Sequence, residues 1–397
     1  SYLQLSCFYS FRTAKLHKFY QNVQKKKYYS LLKCNFIYFC ILFERLLVHL
    51  HRMNEKKRIT FIVNPISGTH GKDAIPDMIA SEIDAQRFDV TIRLTEHAGH
   101  AASIARECAD NGADIVVAVG GDGTVNEVAR SLTHTDTALG IVPCGSGNGL
   151  ARHLCLPLNP RKALGVINRG VVESFDYGVI NGLPFFCTCG MGFDAFISLK
   201  FAEAGKRGPL TYIENVLKEG LKYKPETYEV TDDTGARSYK AFLIACANAS
   251  QYGNNAYIAP NATMKDGMMD VIIMEPFTAL EAPQISIDLM NKTLTNNSKI
   301  KTFKTRSIHI HRSQPGAIHY DGDPIMTSSD VDVHIEPAGI RIVTNPNAME
   351  DPCQPNPFLN AFSDFFNNIN NVREDIEKSG RRIQAMNKLM LRKLSKL

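Results

Sequence analysis

The sequence predicts a parallel, doubly wound α/β domain, then an antiparallel β domain, then a helix-prone tail. Three observations carry this. Between residues 59 and 142, short apolar runs alternate with helix-period segments, and loops rich in Gly, Asn and Ser follow several of the runs, the mark of βαβ units with functional loops at strand C-termini. After about Val172 the texture changes to strand-like runs separated by Gly, Asn, Asp or Pro. From residue 346, Pro352, Pro355 and Pro357 make a linker into a charged, helix-prone segment. The expected organisation is an extension over 1–53, an α/β domain over 54–172, a β-rich domain over 173–345, and a linker with helical tail over 346–397.

The 397 residues suffice for two full cores, and 44% hydrophobic with 21% charged residues describes a globular chain. Charge is uneven. Residues 1–52 hold nine Lys/Arg against Glu44, while the remainder holds 36 Lys/Arg against 39 Asp/Glu. The basic balance therefore belongs to the N-terminal segment, which argues against a nucleic-acid-binding core. That segment reads as non-native upstream sequence or a disordered extension, with Met53 resembling a natural start and a membrane-surface anchor as the second reading. Its most apolar run, 34–43, is too short to span a bilayer. The ten cysteines are scattered, and Cys187-x-Cys189 lacks zinc-site spacing, so reduced thiols are expected.

In order, residues 59–63 form a strand running into the turn-rich loop 64–68, followed by a helix near 74–83 and a strand at 90–94. A helix over 99–109 buries Ala101, Ile104, Ala105 and Cys108. The apolar run 115–119 is a buried strand ending in Gly120-Gly121-Asp122-Gly123-Thr124, and a helix opens through Val125, Val128, Ala129 and Leu132. Strand 138–142 leads to a second glycine loop, 143–149. In the second half, runs 228–231, 241–245, 269–274, 307–311 and 331–335 are strands, interrupted by one clear helix near 210–219. In the tail, Phe362, Phe365, Phe366 and Ile369 share one helical face.

Strand, glycine turn and helix N-terminus in that order make an anion site, because bare backbone N–H groups and the helix dipole both favour phosphate. Three such loops on successive strand ends (64–68, 120–126, 145–148), with the Thr95 hydroxyl beside them, point to phosphoryl transfer. A carboxylate in the cradle, Asp122, suggests a metal or a nucleophile's proton. His97 with His100, and His309 with His311, share faces but fall short of metal-ligand sets.

The motifs Asn-Pro-x-Ser-Gly, Gly-Gly-Asp-Gly-Thr-Val-Asn-Glu-Val and Pro-x-Gly-Ser-Gly-Asn resemble the diacylglycerol kinase catalytic domain family, which includes bacterial lipid kinases and sphingosine kinases, over about residues 59–343. The resemblance implies a nucleotide-binding α/β domain and a β-sandwich lipid domain. It implies ATP contacts from Asn64, Ser67, Gly68, Thr95, Gly120, Gly121, Asp122, Gly123, Thr124, Asn126, Glu127, Gly145 and Ser146. Lys265-Asp266-Gly267-Met268-Met269-Asp270 resembles the Asp-Gly-x-Leu-Asp element, which implies Mg2+ held by Asp266 with the Met268 carbonyl; an ordinary Asp-Gly turn is the other reading. Tyr320-Asp321-Gly322-Asp323 resembles the Asp-Gly-Glu element, which implies Asp323 as proton acceptor, on an arm one methylene shorter. A base must come within about 2.6–3.2 Å of the lipid hydroxyl, and Asp122 is the competing candidate. Asp194 reads as a helix N-cap, or by resemblance as a lipid head-group contact.

The sequence thus leads to an ATP- and Mg2+-dependent lipid kinase acting on diacylglycerol or a sphingoid-type lipid. An NAD kinase-like small-molecule kinase and a non-catalytic lipid-binding protein are the alternatives. The expected partners are a membrane lipid and the membrane surface, with no nucleic acid and a homodimer left open. The expected location is cytoplasmic and peripheral to the membrane.

Overall fold

The computed structural model describes residues 56–65, 75–204, 223–278 and 280–345. The expectations for the 1–53 extension, the helix near 210–219 and the C-terminal tail lie outside these residues.

The first half alternates as expected. β1 (Lys57–Val63), α1 (Ile75–Glu82), β2 (Phe88–Leu94), α2 (His100–Asp110), β3 (Ile115–Gly120), α3 (Asp122–Leu132) and β4 (Ala138–Pro143) follow in sequence. Then come α4 (Gly149–His153) and α5 (Pro160–Arg169). The strands run parallel in the order β2-β1-β3-β4. β3 is buried at every position, because helices cover both faces of the sheet. One face packs Ile62, Val116 and Ala118 against Ile104 and Ala105 of α2 and Val125, Val128 and Leu132 of α3. The other packs Phe61, Val117 and Val119 against Ile79 of α1 and Leu164 and Ile167 of α5. α5 starts where the chain dictates: the Asn159 side chain accepts from the Lys162 N–H and Pro160 occupies the first turn.

The second half is β-rich. β5 (Val171–Ile180), β6 (Leu183–Phe185) and β7 (Thr188–Gly192) precede α6 (Phe193–Ala204). β8 (Glu226–Asp232), β9 (Gly235–Ala241), β10 (Leu243–Ala247) and β11 (Met269–Met274) precede α7 (Ala282–Met290). β12 (Ile300–Thr305), β13 (Ser307–Arg312), β14 (Gly316–Tyr320), β15 (Asp323–Thr327) and β16 (Asp330–Thr344) complete the set. Six strands form a sheet in the order β12-β11-β10-β7-β14-β15, and β16-β13-β8-β9 with β5 and β6 extend the first sheet. The two layers share one core, in which Tyr228, Ile310 and Val333 meet Met191, Ile244 and Val271, as in face-to-face sandwiches.

Two expectations need correction. The apolar run 241–245 is not one strand: Ala241 ends β9 in one sheet and Leu243 begins β10 in the other, with the change of sheet at Phe242. Helices also interrupt this half at α6 and α7. Among the described residues no helix is long and apolar enough to cross a membrane.

β16 joins the halves. One edge pairs with β5, and the other takes β13 and then meets β4 in parallel at Ile342↔Leu139. Its register shifts between Glu336 and Ile340, where Ala338 has φ 51° and donates its N–H to Asp176 Oδ1 at 2.7 Å.

Candidate active site

The C-terminal ends of the parallel strands assemble the cradle. Asn64, just past β1, donates its Nδ2 to Thr124 Oγ1 at 3.1 Å, and buried Thr95 follows β2 with its N–H on Val63 O. α3 begins at Asp122 itself, so Gly121 alone separates it from β3. A Cβ at Gly120 would lie 2.6 Å from the Thr124 side chain, and one at Gly145 would lie 2.6 Å from Gly121 Cα. The two glycine turns therefore touch backbone to backbone. Asn148 stiffens the second: at φ 50° its Oδ1 accepts from Gly145 N–H at 3.0 Å and its Nδ2 donates to Gly145 O at 2.8 Å.

Asp122 bridges the turns. Its Oδ2 accepts from Asn148 N–H at 2.8 Å and its Oδ1 from Gly149 N–H at 2.7 Å, which gives α4 a carboxylate at its N-terminus. Gly123 and Ser146 are exposed at the mouth, while Thr124 and Asn126 are buried. Glu127 is occupied elsewhere: its two oxygens accept from Gly99 and Ala101 N–H at 2.9 and 3.2 Å, tying α3 to the start of α2. That contact, rather than phosphate, explains a carboxylate at this position, since two anions would repel. Ser67 and Gly68 lie outside the described residues.

Asp321 and Gly322 form the two-residue turn between β14 and β15, with φ 53° and 87°. Consecutive positive φ is the type I′ requirement that Asp-Gly satisfies. The Asp321 carboxylate accepts from Phe186, Cys187 and Thr188 N–H at 2.8, 2.7 and 3.1 Å, and burial raises its pKa above the ordinary carboxylate value. Asp323 has a half-exposed carboxylate, 3.0 Å from Arg130 Nη1. Arg130 belongs to the last turn of α3, lies over the Tyr320 ring at 4.5 Å, and donates to Pro184 O at 3.3 Å. One helix thus carries the cradle at its start and holds the Asp323 turn near its end. Eight residues at 1.5 Å rise separate Asp122 from Arg130 by about 12 Å along the axis, and helical side chains lean back toward the N-terminus.

Asp194 lies inside the first turn of α6 rather than at its N-cap. Its Oδ2 lies 3.0 Å from His319 Nε2 and 3.3 Å from the Tyr252 hydroxyl, and its Oδ1 accepts from Ala195 N–H. His319 is buried, and its Nδ1 accepts from Gly322 N–H at 3.4 Å, which leaves the proton on Nε2 to donate to Asp194. The acid is therefore fastened to the Asp321–Asp323 hairpin and turned inward.

Asp266 does not match a magnesium ligand. Its Oδ1 accepts from Met268 N–H at 3.1 Å, and its Oδ2 takes the Lys304 ammonium at 2.7 Å. A cation already occupies the oxygen expected to meet the metal. His309 and His311 pair with Asp332 and Asp330 at 2.8 and 2.7 Å, directly across β16.

Sequence reasoning missed Arg130, His319 and Lys304. The one local signal was for Arg130, a lone base in the last turn of α3, which reads equally as a dipole partner.

Comparison with known proteins agrees with this frame. Residues 58–180 match the diacylglycerol kinase catalytic domain, and residues 188–344 match the YegS C-terminal NAD kinase beta sandwich-like domain. A probable lipid kinase YegS-like protein of Chromohalobacter salexigens is 29% identical over 241 residues, 59% of this chain and 78% of that one. A diacylglycerol kinase of Bacillus subtilis is 25% identical over 272 residues, 67% and 90% of the two chains. A solved diacylglycerol kinase structure from Bacillus anthracis shares the fold, with a TM-score of 0.59 at 24% identity over 74% of this chain and 98% of that one. The two matched domains follow each other along most of the described residues, so the chain carries a diacylglycerol kinase catalytic domain followed by a YegS C-terminal domain.

Proposed function

We propose that this protein is an ATP-dependent lipid kinase that transfers the γ-phosphate to a hydroxyl of diacylglycerol or a sphingoid-type lipid. The observation that carries the reading is the pair of glycine turns in backbone contact, locked by Asp122 across the ends of β3 and β4. Backbone N–H groups at the start of α3, aided by its dipole, hold the nucleotide phosphates. Asn64, Thr124 and Thr95 border them. Magnesium arriving with the nucleotide supplies charge neutralisation.

Asp323 accepts the proton of the lipid hydroxyl as its oxygen bonds to the γ-phosphorus. The bond from that phosphorus to the bridging oxygen breaks, and ADP leaves. Arg130 aims the carboxylate. Asp122, with both oxygens bound to amides, keeps the cradle closed. Positioning and charge stabilisation supply most of the rate in such reactions. Exposed Ile325 and Met326 on the edge strand β15, two and three residues past Asp323, support delivery of the lipid from a membrane surface.

The test offers labelled ATP with diacylglycerol, ceramide, sphingosine, monoacylglycerol and NAD, with and without Mg2+. Label on one lipid class is expected. Label on NAD and on no lipid overturns the proposal in favour of an NAD kinase-like enzyme, and no transfer to any acceptor favours a lipid-binding protein.

A further inference from the structure

We infer that the Lys304 ammonium is the resident cation of the Asp266–Asp270 turn and holds the place of the divalent ion the family resemblance implies there. The inference is independent of the kinase reading.

Sheet register puts the lysine in place. β11 and β12 pair antiparallel with Asp270 directly opposite Lys304 and Val271 opposite Phe303. A one-residue slip would carry buried Val271 to the other face, so the core fixes the Asp270–Lys304 pair. From that position the side chain reaches over the turn. Nζ donates to Asp266 Oδ2 at 2.7 Å and stands 3.3 Å from Asp270 Oδ2 as an ion pair, that buried oxygen accepting no hydrogen bond.

The turn is otherwise anionic. Buried Asp176 lies against it, accepting from Gly267 N–H at 2.7 Å. The neighbouring cation, Lys265, is taken by Glu173 at 3.0 Å and lies over the Phe175 ring. Lys304 is thus the cation that serves both Asp266 and Asp270. Burial raises the Asp270 carboxyl above its usual value, while the two carboxylates hold the Lys304 ammonium above its own. Magnesium demands oxygen ligands at about 2.0–2.1 Å in octahedral array and dehydrates reluctantly. An ammonium already on Asp266 Oδ2 would stand against it as a like charge.

The test compares thermal melting of the full chain, without nucleotide, in Mg2+ and in EDTA, alongside Mn2+ binding followed by electron paramagnetic resonance. The wild type is expected to melt identically in both buffers. Lys304→Met is expected to melt roughly 2–4 °C lower in EDTA, to recover in Mg2+, and to bind one Mn2+ that a further Asp266→Asn change abolishes. Lys304→Arg is expected to stay indifferent to metal. A wild-type melting shift in Mg2+ that Asp266→Asn removes overturns the inference, as does a Lys304→Met protein with unchanged melting and no metal response. Should Lys304→Met not fold, wild type and Asp266→Asn decide alone: a Mg2+ or Mn2+ response removed by the substitution overturns the inference, and its absence upholds it.

Discussion

A methyl group added at Gly145 tests the cradle most directly. The new Cβ would lie 2.6 Å from Gly121 Cα, against an ordinary carbon–carbon separation of about 3.5–4.0 Å. The obstructing atom is backbone, so the shortfall of about 1 Å must be met by parting the two turns. Gly145 does not occupy the left-handed region, so alanine adds no backbone strain of its own. Overpacking of this kind costs about 1–3 kcal/mol of stability. A 1 Å misplacement of reacting groups costs about 10²-fold in rate, or about 2.7 kcal/mol of barrier. Gly145→Ala is therefore expected to stay folded, to melt a few degrees lower, and to lose about 100-fold in kcat with labelled ATP and the accepted lipid. Wild-type kcat and KM in a folded Gly145→Ala protein would refute the argument that contact between the two turns sets the geometry of transfer.

Further outcomes follow from the structure. Asp323→Asn should lose about 10²–10⁴-fold in kcat as a general base does, while Asp122→Asn should cost about 1–3 kcal/mol of stability by setting an amide against a backbone N–H and should raise KM for ATP. Full activity in the first with none in the second would move the base to Asp122. Arg130→Met should lower kcat about tenfold through a misaimed carboxylate and leave KM for ATP unchanged, with about 1 kcal/mol of stability lost with the half-exposed pair; a change confined to KM would contradict that role. His153, whose Nδ1 accepts from Ser250 N–H at 3.1 Å, is held by burial at a pKa of about 4 against 6.5 unfolded. The unfolded chain then binds the extra proton between these values, so stability falls as pH drops from 6.5 to 4, by at most about 3 kcal/mol. Denaturant titrations across that range should detect the slope, and His153→Gln should flatten it.

The parallel sheet was legible because each of its signals is local. The run 115–119 is buried on both faces, and the glycines after it announce the helix start. The carboxylate turn was legible as a motif, and its Asp-Gly centre carries its own turn chemistry. The partners were not legible. Arg130 and Asp323 are 193 residues apart, and Lys304 meets Asp266 only once a register is chosen. Glu127 misled for the opposite reason: a motif residue beside a phosphate cradle reads as a ligand until the amides of α2 are seen against it. The change of sheet at Phe242 left no periodic trace, because Ala241, Phe242 and Leu243 are consecutive apolar, buried residues that read as one run.

The closing strand β16 has a consequence for how the protein comes into being. Ile342 is among the last described residues to leave the ribosome, yet it pairs with Leu139 on the edge of β4, a strand made about two hundred residues earlier. Until then the nascent α/β half carries an open, apolar sheet edge, the kind that invites pairing with other chains. Any fragment ending before residue 330 keeps that edge permanently. Residues 58–180 expressed alone should therefore associate through β4, and a synthetic β16 peptide supplied in trans should suppress that association.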